Sequence, residues 1–290
     1  MVKFGASILS WIPKWTPEGG LYAIQKTAAA GFDLLEISLP SSLELDAATV
    51  KKQLDRSGIE GRCSLILPKD CHLPLYPEKG LRHLKGALDK VAEMGGNFLG
   101  GVLYGAIGAF SGEPCTAHEK ALLRQVFTEV AAYAGQRGIT VALEPINRYE
   151  TYVLTSAAET LELVRSTGAA NLALMLDTFH MNIEENSFYH PVVQAGNRLR
   201  YLHMTENDRG MLGEGNVRWD DLFRGLAQGG FNGCLVLENF SSELAELVGP
   251  TSLWRTSRYN SEDLATGSLR FMQEKAKQWG LVETSLECKP

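Results

Sequence analysis

One phrase recurs along this 290-residue chain: a helix-forming stretch ends at a glycine, and a short apolar run rich in strand formers follows. It occurs in AAAGFDLLEISL (28–39), RSGIEGRCSLIL (56–67), EMGGNFLGGVLY (93–104) and QRGITVALE (136–144). It returns in STGAANLALMLD (166–177), AGNRLRYLHM (195–204) and QGGFNGCLVLE (228–238). Glycine just past a helix takes the left-handed backbone conformation at little steric cost. The apolar runs do not strictly alternate, so both faces of each strand are expected to be buried, as in a parallel sheet. Adding VKFGASIL (2–9) gives eight candidate strands, and the amphipathic stretches 77–94, 117–136, 155–167 and 218–229 are long enough for crossover helices. Eight βα units at roughly 30-residue spacing predict a closed (β/α)8 TIM barrel of the α/β class, with an open doubly wound sheet as the alternative. No Gly-rich dinucleotide fingerprint follows the first strand, which argues against the open sheet.

No shift of composition marks a second domain, so residues 1–290 read as one barrel. Residues 241–290 hold a polar loop and a helix-like stretch (261–279) that closes the barrel or contacts another copy. A net charge of −6 argues against a nucleic-acid groove, which needs a basic stripe, and gives no attraction to an anionic membrane. No 18 apolar residues run together, and the N-terminus lacks the apolar core and cleavage site of a secretion signal, so neither a membrane span nor export is expected. The five cysteines, Cys63, Cys71, Cys115, Cys234 and Cys288, are odd in number and have no CxxC spacing. That pattern predicts reduced thiols in a cytoplasmic protein, with Cys234 as a small buried hydrophobe.

Active sites of such barrels form at the C-terminal ends of the strands. Strand five ends VALE at Glu144, strand six LMLD at Asp177, strand seven YLH at His203 and strand eight LVLE at Glu238. One buried carboxylate at a strand end is usually a loop anchor. Four polar residues on successive strands are a different matter, because clustered carboxylates repel one another unless a cation joins them. Three carboxylates and an imidazole favour Mn²⁺, Mg²⁺, Co²⁺ or Fe²⁺ over a thiolate-type zinc site. Glu150, His180 and Arg209 lie in the loops that follow and would overhang the same pocket, although a solvated arginine and a backbone-satisfied histidine are the plainer readings of the last two. Glu36, taken as the end of strand two, is expected to make a structural hydrogen bond. His72, His83, His118 and His190 are expected at the surface, and Trp219 and Phe223 on the packed face of a helix.

At these loops the chain resembles the ketose 3-epimerases typified by D-tagatose 3-epimerase and D-psicose (allulose) 3-epimerase, within the xylose-isomerase-like barrels. The resemblance rests on LEPINRYE (143–150), LDTFHMNIEENSF (176–188), HMTENDRG (203–210), GEGNVRWDDLF (213–223), FNGCLVLENF (231–240) and SLWR (252–255). It implies one divalent ion, Mn²⁺ foremost with Mg²⁺ or Co²⁺ possible, on Glu144, Asp177, His203 and Glu238. It implies proton transfer by Glu144 and Glu238, and substrate contacts from Glu150, His180 and Arg209. It also implies a homodimer or homotetramer acting on a small keto sugar. Only Arg148 and Arg209 adjoin the pocket loops as cations, which favours a free sugar over a phosphorylated one. The chain departs from the family pattern at Ala6, Ser7 and Ile8, in LYGAIGAF (103–110), which lacks a tryptophan, and at Asp208 and Asn239. The changes in the first strand and in 103–110 fall on the part of the pocket that recognises the far end of the sugar. The competing readings are an aldose–ketose or hydroxypyruvate-type isomerase and a non-catalytic sugar-binding barrel. An abasic-site endonuclease of the same scaffold would need more than this chain's six histidines and a basic groove.

Overall fold

The structure is a computed structural model that describes residues 1–283. Eight parallel strands close into a barrel in sequence order. They are β1 (Lys3–Ser7), β2 (Leu34–Ser38), β3 (Glu60–Ser64), β4 (Phe98–Gly100), β5 (Thr140–Leu143), β6 (Leu172–Asp177), β7 (Leu199–Met204) and β8 (Cys234–Leu237). Closure comes from β8 pairing with β1, Lys3 to Cys234 through Ala6 to Leu237. The helices outside are α1 (Pro17–Ala29), α2 (Ala47–Ser57), α3 (Pro77–Glu93), α4 (Ala117–Gly135) and α5 (Ala157–Ser166). They continue with α6 (Thr178–Glu184), α7 (His190–Ala195), α8 (Trp219–Gln228), α9 (Ala245–Val248) and α10 (Ser261–Gln278).

All seven punctuating glycines, Gly31, Gly58, Gly95, Gly138, Gly168, Gly196 and Gly230, have positive φ between 53° and 90°. They turn each helix back toward the next strand in a conformation that other residues adopt only with strain. Helix starts are equally local in origin. Thr116 caps α4 in a capping box with Glu119, and Ser156, Asp46 and Asn260 each accept a backbone N–H at a first turn. The stretch 241–283 begins as a loop with the short α9 and ends in α10, whose buried Ala265, Leu269 and Met272 pack in the main core. Among the described residues no helix is long and apolar enough to cross a membrane.

The barrel interior is built in layers by the two-residue period of the strands. Leu34, Phe98, Ala142, Ala173, Met175, Tyr201, Cys234 and Val236 form one buried apolar cluster. Two residues further along five of these strands stand Glu36, Glu144, Asp177, His203 and Glu238. An apolar floor thus carries a polar layer at the C-terminal mouth. Cys234 is buried in the floor as expected, and Cys63 and Cys71 are buried elsewhere; Cys288 lies outside the described residues.

Two expectations need correction. Glu36 is the middle residue of β2, paired with Ser7 and Arg62, and does not end the strand. His72 is buried, because the loop after β3 folds it under Ala106, whose N–H donates to its Nδ1 at 3.2 Å. His83 is half-buried, whereas His118 and His190 are exposed.

Candidate active site

Glu144 and Glu238 are each the first residue past a strand, Asp177 is the last of β6, and His203 is the fifth of six in β7. The strands therefore bring the four to one place. His203 Nδ1 lies 3.0 Å from Glu144 Oε1 and 3.6 Å from Glu238 Oε2. Donor atoms of Glu144, Asp177 and His203 fall within 4.8 Å of one another, as do those of Glu36, His203 and Glu238. On its other side the ring meets Glu36, with Nε2 2.9 Å from Oε2.

Arg209 enters this layer from the loop after β7. Its Nη1 donates to Asp177 Oδ2 at 3.0 Å and to Glu238 Oε2 at 2.6 Å. The guanidinium lies over the rings of Phe179 and Phe240, 4.0 and 4.8 Å from their centroids. The residue has a φ of 60°, a left-handed conformation that costs a non-glycine residue about 1–2 kcal/mol. Its loop is held from below by Glu206, which is fully buried. Glu206 accepts from Gly213 N at 2.9 Å, Val217 N at 3.3 Å and Trp219 Nε1 at 2.6 Å. A Cβ on Gly215 would collide with the same carboxyl, so the GEGN sequence needs its second glycine for close approach.

His180, on α6, points its Nδ1 at Asn147, accepting the backbone N–H at 3.2 Å with the side-chain amide at 2.9 Å. That leaves Nε2 as the protonated nitrogen, 3.6 Å from Asp177 Oδ2. The backbone-satisfied reading of His180 thus holds on one edge of the ring, and the other edge faces Asp177. Asn147 also donates to Glu150 Oε1 at 2.8 Å, tying Glu150 to the same loop. Arg148 is directed away and forms an ion pair with Glu184. Tyr104, fully buried, donates to the carbonyl of Glu144 at 3.0 Å and to that of Leu154 at 3.1 Å, fixing where β5 ends.

The electrostatics follow from crowding four carboxyls around two cations in a buried layer. Burial raises the Glu144 carboxyl above the ordinary range despite His203. Burial, with repulsion from Asp177 and Glu144, outweighs His203 and Arg209 and pushes Glu238 up to about 7. Burial acts in the same sense on Asp177, but Arg209 and the two histidines hold it below its usual value. Burial would lower His203, yet Glu238, Glu36 and Glu144 carry it well above the usual histidine range. Burial pushes His180 down to about 3, so it is a neutral donor at physiological pH. Two carboxyls with raised pKa among hard oxygen donors are the chemistry a divalent cation relieves, and the donor set fits such an ion.

Sequence reasoning missed Glu206 and the Phe179–Arg209–Phe240 stack. Glu206 was visible as the acid in HMTENDRG, but its partners lie as many as thirteen residues on and come back only through the loop's shape. Beside this loop a cavity of about 540 Å³ is lined by Met211, Phe240, Trp254, Arg255 and Tyr259 among others, and it brings the SLWR segment to the rim.

Residues 24–275 match the sequence pattern described as the xylose isomerase-like TIM barrel. An L-ribulose 3-epimerase of Methylomonas sp. (strain DH-1) is 35% identical over 94% of this chain and 98% of its own length. A ketose 3-epimerase of Arthrobacter globiformis is also 35% identical, over 94% of this chain and 96% of its own. The crystal structure of a Methylomonas sp. D-allulose 3-epimerase in complex with D-allulose superposes with a TM-score of 0.89 at 34% identity, covering 94% of this chain and 97% of that one. With a closed eight-stranded barrel, an acidic and histidine cluster at its C-terminal mouth, and relatives matched almost end to end, the chain belongs to the xylose isomerase-like TIM barrel family and, within it, to the ketose 3-epimerases.

Proposed function

We propose that the protein inverts C3 of a small free ketose by moving one proton off the carbon and another onto its opposite face. The observation that carries this reading is the placement of Glu144 and Glu238. They stand on strands three steps apart around the barrel, and both face His203 Nδ1, at 3.0 and 3.6 Å. Inversion through a planar enediolate needs one base on each face, and two carboxyls reaching inward from separated strands meet that need. Aldose–ketose isomerisation moves a proton between neighbouring carbons on one face and gives no reason for the second carboxyl.

Glu144, Asp177, His203 and Glu238 would hold one divalent cation, Mn²⁺ first and Mg²⁺ or Co²⁺ next. Bound there, the ion supplies Lewis-acid polarisation of the C2 carbonyl, which makes the C3 hydrogen acidic. Burial raises both carboxyls above the ordinary range, Glu238 to about 7, which suits them to exchange protons with a carbon acid. Asp177, with its low pKa, stays a permanent anion and only ligates. His180, neutral, donates its Nε2–H to a substrate oxygen without giving up the proton. Arg209, already oriented by Asp177, Glu238 and two aromatic rings, stabilises negative charge that develops on the sugar oxygens. Glu150 accepts from a sugar hydroxyl.

A free sugar is supported by the pairing of cations on the pocket loops: Arg209 is bound to two carboxylates, Arg148 to Glu184 and Arg258 to Glu214. The thiols of Cys63, Cys71, Cys115 and Cys234 are unpaired, which suits a cytoplasmic setting. Leu75, Phe110, Tyr149 and Trp254 are exposed on loops around the mouth, which suits a homodimer or homotetramer. The test is substitution of each base in turn: Glu144→Gln and Glu238→Gln should each lower epimerisation by about 10²-fold or more, and turnover within about tenfold of wild type in either would remove that residue from the chemistry.

A further inference from the structure

We infer that Glu36 is a positioning residue that reaches across the barrel to fix His203, so that Nδ1 is the ring nitrogen offered to the cation. This rests on the metal-centre reading above. Strands β2 and β7 are not neighbours, being separated by β1 and β8, so the contact is made through the interior. Glu36 is 1% exposed and His203 3%, and Oε2 lies 2.9 Å from Nε2. The register explains the reach. Glu36 stands two residues beyond Leu34, which belongs to the apolar floor, and His203 two residues beyond Tyr201 of that same floor. Both side chains therefore rise into the same layer and meet.

A neutral imidazole has one donor nitrogen and one acceptor nitrogen, and its partners decide which is which. A carboxylate on Nε2 accepts N–H there and leaves the lone pair on Nδ1. Nδ1 is the nitrogen facing Glu144 and Glu238, at 3.0 and 3.6 Å. The contact also locks the ring plane, which Tyr201 supports edge-on at a centroid distance of 5.8 Å. Carboxylates placed behind ligating histidines in this way raise the basicity of the ligand and set its orientation, and their loss weakens metal binding about 10–100-fold. Glu36 thereby has a definite task, in place of the generic hydrogen bond expected from the sequence.

The experiment uses the full-length protein and Mn²⁺ alone, with free ion read by electron paramagnetic resonance, on the wild type, Glu36→Gln and Glu36→Ala. Glu36→Ala should bind one equivalent about 10–100-fold more weakly. Glu36→Gln, whose amide oxygen still accepts from Nε2–H, should recover part of that loss. In Mg²⁺-loaded protein, histidine ¹⁵N spectra should show the Nε2–H tautomer at His203 in the wild type and lose that preference in Glu36→Ala. Folded variants with Mn²⁺ affinity within twofold of wild type would overturn the inference and leave the metal reading intact. A Glu36→Gln variant no better than Glu36→Ala would overturn the acceptor role. Failure of the wild type itself to bind Mn²⁺ would overturn both readings. Thermal melts of the chelated variants distinguish a lost fold from a lost ligand geometry, and Glu36→Asp provides a second charged variant should alanine not fold.

Discussion

Replacing Glu206 by alanine should damage catalysis without touching the reacting groups. The carboxyl is completely buried, and its three shortest hydrogen bonds come from the backbone N–H groups of Gly213 and Val217 and from the Trp219 indole. Removing it leaves three donors without an acceptor, at about 1–3 kcal/mol each before water enters. Taking the lower figure, because such losses are not additive, the expected destabilisation is about 3 kcal/mol. For a chain of 290 residues, whose unfolding entropy is about 0.6 kcal/mol/K, that corresponds to a fall in Tm of about 5 °C. The functional effect travels through Arg209, three residues along the same loop. Its left-handed backbone persists only while the surroundings over-determine it, and a slackened loop lets it relax. Misplacing a positioning group by about 1 Å costs on the order of 10²-fold in rate, so kcat should fall 10- to 100-fold. Glu206→Gln should be intermediate, because its amide NH₂ confronts a donor while its oxygen still accepts. Differential scanning fluorimetry and steady-state kinetics read both effects. An alanine variant melting within 2 °C of wild type, with kcat/KM within twofold, would refute the reasoning.

Three further outcomes follow from the same geometry. Glu144→Gln and Glu238→Gln should each lower turnover by about 10²–10⁴-fold or more, the range for a lost general base, while far-ultraviolet circular dichroism stays unchanged. Arg209→Lys should cost about 1.5–3 kcal/mol in kcat/KM, because the shorter lysine does not bring a donor to where Nη1 meets both Asp177 and Glu238, and it loses the planar guanidinium over Phe179 and Phe240. Binding of Mn²⁺ to chelated protein should release a proton. Glu238, raised to about 7 by burial, is protonated below that pH and must ionise to ligate. Affinity should therefore fall as pH drops below 7, by up to about tenfold per pH unit from Glu238 alone, and His203, which must also give up a proton to ligate, adds to the slope. Calorimetry in buffers of different ionisation enthalpy checks this, and an affinity flat from pH 5.5 to 7.5 would contradict it.

Much of the fold was legible because its signals are local. A glycine such as Gly138 or Gly230 needs only its own backbone to end a helix, and the four polar residues at strand ends announce themselves against apolar runs. Helices α3, α4 and α8 fall within two residues of the amphipathic stretches for the same reason. What escaped depends on the chain returning to itself. Glu36 looked like a strand terminus because LLEISL gives no hint where pairing stops; its inward direction follows only once Leu34 is known to be part of the floor. His72 looked like a surface residue because nothing in KDCHLP shows that Ala106 will cover it. Glu206 and Trp219 are thirteen residues apart, and their hydrogen bond exists only after the intervening loop has folded over. Within the candidate site, the residues were legible and their mutual support was not.

The central claim is proton transfer at C3, and the most direct measurement follows that hydrogen. The Mn²⁺-loaded protein would be incubated in deuterated water with free ketoses of four to six carbons, and C1 and C3 followed by NMR. Deuterium entering at C3 together with a new C3 epimer is the expected result, and it would also name the sugar. Exchange at C1 with an aldose as product, or no exchange from any ketose by protein carrying its ion, would contradict the account.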